Sequence, residues 1–237
     1  MRVLFIHQNY PGQFPLIADA LARRKGYQVL GLGEVEKIRA RNAHFPYPVV
    51  GYVPRNSDQA GIHHYLESFQ QAIRRGQDVV RACQNLRTKG FYPDVIIGHP
   101  AWGELLFVKD VFPTARLISY FEFFYHPTGA DVGFDPEFPP TEDSPFKLRI
   151  RNTVQLHALS ACDGGISPTH WQKSTYPARD QSRIRVIHEG INIDRLTGDR
   201  SESYSLPDGR RLDRSHQVVT YVSRNLEPYR GFHTFMR

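Results

Sequence analysis

Four short segments and one pair of arginines hold the residue types from which a reaction could be built. His7-Gln8-Asn9-Tyr10-Pro11-Gly12-Gln13 joins an imidazole and amides to turn residues. Between a strand and a helix, its free N–H groups would favour an anion, and Gly12 would let a ligand approach the backbone closely. A plain tight turn reads equally well. His99-Pro100-Ala101-Trp102-Gly103-Glu104 puts a histidine where a strand would end, so its ring either faces a cleft or is satisfied by the main chain. In Glu122-Phe123-Phe124-Tyr125-His126 a carboxylate sits among aromatics. That setting can hold sugar hydroxyls or raise a carboxyl pKa, and it also describes an exposed Glu beside core rings. His188-Glu189-Gly190-Ile191-Asn192 is either a hinge or an ordinary turn. Arg224 and Arg230 flank Asn225-Leu226-Glu227-Pro228-Tyr229. Two cations after a strand and before a helix could clamp a diphosphate; a surface pair is the alternative.

Several chemistries have no support. The sequence has no Walker motif, HExxH, paired CxxC, GxSxG or GxGxxG. It has no Asp-x-Asp, and its histidines lack metal-ligand spacing, so no metal and no cofactor is expected. The two cysteines, Cys83 and Cys162, stand apart in apolar surroundings. They make neither a disulfide framework nor a thiolate site, which suits a reduced, cytoplasmic setting.

The elements that must carry these segments follow from hydrophobic patterning. Arg2 to His7 reads as a strand buried on both faces, and a helix from Gln13 ends near Arg23-Arg24-Lys25-Gly26. Tyr27 to Leu32 is a second strand. A less regular stretch follows, then a short strand near Val49–Val53. Residues Ile62 to Leu86 keep a helical rhythm that Gly76 interrupts and Gly90 ends. Further strands are expected at 93–98, 115–121, 164–167 and 185–187, with helices near Trp102, from Phe146 to Ala161, and after Ser167-Pro168. Ser167 is the expected N-cap there, with Thr169 and Gln172 as a capping pair. Residues 122–145 form a long aromatic, acidic and proline-rich loop, a length that usually signals function or mobility.

Alternating strands and helices predict an α/β fold: a Rossmann-like parallel sheet covered by helices on both faces. In such sheets ligands bind outside the carboxyl ends of the strands, where all four segments lie. Residues 1–196 form this unit. Residues 197–217 are polar and read as a linker, and Val218–Val222 starts a strand of a second, truncated Rossmann-like domain over 218–237. Of 237 residues, 40% are hydrophobic, enough for a substantial core. No apolar run approaches membrane-spanning length. The net charge of +6 comes from 30 basic residues, 24 of them Arg, scattered without a dense run. Nucleic acid is therefore not an expected partner, while phosphorylated ligands or an anionic membrane face remain open.

Taken together, the segments His7–Gly12, Asp94-Val95-Ile96-Ile97-Gly98-His99-Pro100, Val186 to Asn192 and Val222-Ser223-Arg224 through Arg230-Gly231 resemble the family-4 retaining glycosyltransferases, whose two Rossmann-like domains form the GT-B arrangement. Tyr120 to Tyr125 looks like one subgroup. The resemblance implies transfer of a sugar from a nucleotide-sugar to a sugar, lipid-linked or other small acceptor, without a metal. It places His99 at the reacting sugar and Gly12, Arg224 and Arg230 at the donor phosphates. Asn9, Glu122 and Glu189 fall on the acceptor or sugar side. Departures are also present: the first loop has less glycine than usual, the second basic residue is Arg instead of Lys, and the C-terminal acidic motif is not in this chain. On that basis the chain is expected to be an incomplete, inactive form, cytoplasmic or at the inner membrane face. A non-catalytic binding module and a sugar-nucleotide epimerase are the alternatives.

Overall fold

The computed structural model describes residues 1–55, 61–193 and 203–237. Seven parallel strands form one sheet: β1 (Arg2–Ile6), β2 (Gln28–Glu34), β3 (Val49–Tyr52), β4 (Val95–Gly98), β5 (Arg116–Tyr120), β6 (Gly164–Ser167) and β7 (Ile184–Val186). Their order is β3-β2-β1-β4-β5-β6-β7. The chain therefore runs outward from β1 to β3, crosses back and continues from β4 on the other side. The reversal leaves a crevice between the carboxyl ends of β1 and β4, the position where open parallel sheets bind ligands.

Helices cover both faces, as the patterning predicts. Successive side chains of β1 point to opposite faces. Leu4 and Ile6 join a core with Leu32, Val79, Cys83, Ile96, Leu117 and Leu159. Val3 and Phe5 join the other with Phe14, Ala18, Val29 and Tyr120. On the first face lie α3 (Glu67–Thr88) and α6 (Thr153–Ala161); on the second lies α1 (Pro15–Ala22). The short α4 (Val108–Val111) and α7 (His170–Ser174) and the helix α5 (Ser144–Arg151) complete the shell of the sheet.

Several sequence expectations are corrected. The irregular stretch after β2 is a helix, α2 (Val35–Arg41), with no fully buried residue and too short an apolar stripe to reveal it. Gly76 does not interrupt α3; a Cβ there would lie 2.9 Å from the Gly103 carbonyl oxygen, so the absent side chain admits a neighbouring turn. No helix starts at Trp102: residues 101–107 form turns, and only Val108–Val111 is helical. The helix expected over Phe146–Ala161 is two, meeting at Asn152. Thr169, not Ser167, caps α7, its hydroxyl accepting the Gln172 N–H at 3.1 Å. Residues 218–222 are not a strand: they pair with nothing in a sheet, and Val219 and Val222 are exposed. Of the expected linker, 197–202 lies outside the described residues. The remainder carries a two-residue hairpin, β8 (Tyr204–Ser205) with β9 (Arg211–Leu212). A last helix, α8 (Phe232–Phe235), follows a 3-10 turn at Pro228–Arg230. Among the described residues no helix is long and apolar enough to cross a membrane. Both cysteines are buried and free.

Candidate active site

His7 and His99 directly follow β1 and β4, so they stand on either side of the crevice. Each ring is fixed by the same local device. Its Nδ1 accepts the backbone N–H two residues on: Asn9 for His7 at 2.9 Å and Ala101 for His99 at 3.2 Å. His188, just past β7, repeats it with Gly190 at 3.0 Å. An occupied Nδ1 lone pair puts the proton of the neutral ring on Nε2. For His99 that Nε2–H donates to Glu122 Oε2 at 3.0 Å. Glu122 follows β5, which neighbours β4 in the sheet, so the parallel order alone brings the two side chains together.

The His99 ring is only 1% exposed. It stacks on Trp102 with centroids 4.5 Å apart and meets the His7 ring edge-on at 5.6 Å. Burial, with His99 beside it, pushes the His7 ring down to about 3, so His7 stays neutral. The hydrogen bond from His99 holds the Glu122 carboxyl below its ordinary range against the opposing effect of burial, and the charge of Arg224 adds to this.

Gly12 serves His7. Its φ is +57°, and a Cβ there would lie 2.4 Å from the His7 ring. Only glycine leaves room for that imidazole. Asn9 contributes its backbone to the same turn, its N–H to His7 and its carbonyl to the Gly12 N–H. Glu189 lies near Tyr120, whose phenol pKa is raised by burial first and by the Glu189 carboxylate next. Arg224 is near enough to act on Glu122, and Arg230 pairs with Glu227 at 3.5 Å. Glu227 also feels the charge of Arg224, so one carboxylate lies within reach of both arginines. Of the seven residues singled out by sequence, His99 and Glu122 are in direct contact, Arg224 faces them through its charge, and Gly12 and Asn9 build the seat of His7.

A cleft of about 690 Å³ opens from this point. Gln8, His99, Trp102 and Glu122 lie at its sheet end, and side chains from α3 and α5 form its walls. Arg75, Lys147 and Arg151 line this cleft without having been singled out by sequence, and Glu104, there only the end of a segment, lies buried behind Arg75. Arg75 lies on the inner stripe of α3, four residues before buried Val79 and three after buried Ala72, a placement that sequence spacing could have revealed. Its Nη1 donates to the Trp102 carbonyl at 2.8 Å, and its Nε stands 3.5 Å from Glu104 Oε1. Glu104 is fully buried, accepts from the Tyr52 hydroxyl at 3.1 Å, and leaves Oε2 without a hydrogen bond. Burial pushes its carboxyl up to about 7, although Arg75 pulls the other way.

A donor aimed by its turn, a carboxylate, and a cleft at the switch point can bind a polyhydroxy ligand and orient it. Comparisons with known proteins bear on which. No curated protein matches the sequence significantly. Among solved structures, UDP-GlcNAc 2-epimerase from Methanocaldococcus jannaschii is similar at 15% identity and a TM-score of 0.42, over 78% of this chain and 45% of that one. Phytolacca americana UGT2, solved with UDP-2-fluoro-glucose and pterostilbene, gives 11% and 0.49 over 79% of this chain and 54% of that one. The spinosyn rhamnosyltransferase SpnG, complexed with thymidine diphosphate, gives 16% and 0.39 over 71% and 45%. The chain thus spans about half the length of the solved structures it matches. The sequence profile of the glycosyl transferase family 4 group matches residues 26–196, which include β2 to β7, His99, Glu122 and the walls of the cleft. The chain belongs to the glycosyl transferase family 4 group.

Proposed function

We propose that the protein transfers a sugar from a nucleotide-sugar to an acceptor with retention of anomeric configuration and without a metal. The observation that carries this reading is the His99–Glu122 pair at the sheet end of the cleft, at the switch point of a chain of this family. The acceptor occupies the cleft, and the donor lies against the loops after β1 and β4. His99 Nε2–H, already directed by its turn, exchanges Glu122 for a hydroxyl of the reacting sugar. Negative charge that builds on the departing diphosphate is met by Arg224 and Arg230, cations that do the work a divalent ion would otherwise do. Gly12 leaves the room that keeps the neutral His7 ring in place beside His99. The reading assigns the protein to carbohydrate or polysaccharide biosynthesis in the cytoplasm, with the basic surface free to meet an anionic membrane face.

The test uses the natural full-length protein with a panel of nucleotide-sugars and acceptors, the anomer of the product being assigned by NMR. Chelation of divalent ions is expected to leave transfer unchanged. His99→Ala is expected to lower it by orders of magnitude, and near-normal turnover in that variant would sink the assignment of His99. Isomerisation of the donor without an acceptor would favour an epimerase. Tight donor binding with no turnover would favour a binding module.

A further inference from the structure

Arg75 is an expensive residue to place where it is. Its side chain is 17% exposed, and burying a cation is unfavourable unless its charge and its donors are matched. A guanidinium has five N–H donors. One Nη1 donor goes to the Trp102 carbonyl, and Nε faces Glu104. With the Gln8 amide turned so that its oxygen faces the cations, Gln8 accepts from Arg75 Nη2 at 3.1 Å and from Lys37 at 2.7 Å. That leaves one donor on each terminal nitrogen, on a side chain whose exposed part lines the cleft. Glu104 matches the charge incompletely, because burial opposes its ionisation near neutral pH.

The opposite wall repeats the sign. Lys147 and Arg151 are one turn apart on α5, and both line the cleft. The guanidinium of Arg151 lies 3.9 Å over the Tyr125 ring, which holds it in position. One helix begins at the cleft with uncapped N–H groups, α3 at Glu67, and these add positive potential that the Glu67 carboxylate in the same turn partly offsets; the first N–H groups of α5 already donate to the Thr141 and Asp143 carbonyls. Two carboxylates line the cleft: Glu122 is engaged by His99, and Glu67 stands in the first turn of α3, against the three cations Arg75, Lys147 and Arg151.

We propose that the cleft is built for an acceptor bearing a phosphate or carboxylate group, gripped by the two free donors of Arg75 and closed over by Lys147 and Arg151. This rests on the glycosyl-transfer reading and assigns its acceptor class. Terminal guanidinium donors in a partly dry wall match the two oxygens of such a group. The acceptor hydroxyl then lies toward His99, at the sheet end of the same cleft.

The experiment measures binding by calorimetry at constant ionic strength on the full chain, with inorganic phosphate, glucose 6-phosphate, glucuronate and glucose as probes. At least one anionic sugar is expected to bind saturably and glucose not. Glucose 6-phosphate binding alone identifies a phosphate; glucuronate binding alone identifies a carboxylate. Arg75→Gln, and separately Lys147→Gln with Arg151→Gln, are expected to weaken that binding about tenfold or more. The double variant changes exposed residues and reports even if Arg75→Gln does not fold. Absence of saturable anion binding, or binding indifferent to the double variant, would overturn the proposal. So would binding lost in Arg224→Gln but kept in Arg75→Gln, which would assign the anion to the C-terminal arginines. Transfer assays separate the two levels. Sugar transfer to neutral acceptors alone removes this proposal and leaves the function standing. Anion binding in the cleft without any transfer does the reverse.

Discussion

Substituting Gly103 by alanine tests how the cleft is held. Gly103 has φ +100°, and a Cβ there would lie 2.1 Å from the carbonyl oxygen of Ala72, 2.5 Å from its carbon and 2.6 Å from its Cα. All three atoms belong to the backbone of α3, so no side chain can rotate out of the way. Comfortable contact needs about 3.4 Å, and the turn must therefore part from the helix by roughly 1 Å. Two costs combine. A side chain at positive φ costs about 1–2 kcal/mol, and overpacking against an unyielding neighbour costs about 1–3 kcal/mol more. Gly90 isolates the first cost: its φ is +83°, and a Cβ there would meet nothing within 4 Å. Gly90→Ala is expected to lose about 1–2 kcal/mol and Gly103→Ala about 2–5 kcal/mol. The extra ~1–3 kcal/mol, at roughly 2–4 °C per kcal/mol for a chain of this size, should make Gly103→Ala melt about 2–12 °C below Gly90→Ala. Differential scanning calorimetry of the two variants decides it. Equal melting temperatures would refute the close approach of the turn to α3, and with it the account of how Trp102 and Arg75 come to line one wall.

Other expectations are simpler. Glu104 binds its proton more tightly folded, at about 7, than as a free side chain at 4.5. Its contribution to stability is therefore full below pH 4.5 and declines as pH rises to about 7. Glu104→Gln should flatten that decline in melts taken across the range, and an unchanged slope would exclude Glu104 as its source. Arg183 donates to the carbonyls of Leu159 and Cys162 at the end of α6, both at 2.6 Å. Arg183→Met should cost about 1–3 kcal/mol in urea unfolding, and a neutral result would show these bonds to be energetically idle. Burial pushes the Cys83 thiol up to about 12 and raises Cys162 as well. Neither should react with a disulfide reagent before the chain unfolds; prompt labelling of either would contradict its burial.

Much of the sheet was legible because buried parallel strands announce themselves as short apolar runs, and because turn residues punctuate them. The helix α2 was not, since only Val35 and Ile38 pack inward and neither is fully buried, too short a stripe to reveal a helix. Val218–Val222 misled for the opposite reason. Its residue types favour a strand, but strand propensity expresses itself only where a partner strand exists. The site divides in the same way. His99 was visible as a polar residue at the end of an apolar run. Its contact with Glu122, 23 residues away, follows from β4 and β5 being neighbours, a fact of topology that local sequence does not record. Gly12 read as a place where a ligand could come close; the space it leaves is filled by His7. Arg75 was hidden inside a regular helical pattern, although its place on the buried stripe is itself anomalous.

The histidine turn that follows β1 and β4, and recurs past β7, has a consequence for proton traffic. An imidazole relays a proton by taking it on one nitrogen and releasing it from the other. When Nδ1 is bonded to the chain's own N–H, that route is closed, because loading the nitrogen would set two donors face to face. His99 is therefore the end of a proton wire and not a link in it: it can point a hydrogen into the cleft, but it cannot carry one away. At His7 the same arrangement makes the loop a latch: protonating that ring at Nδ1 must release the backbone it holds, and burial protects the latch down to about pH 3.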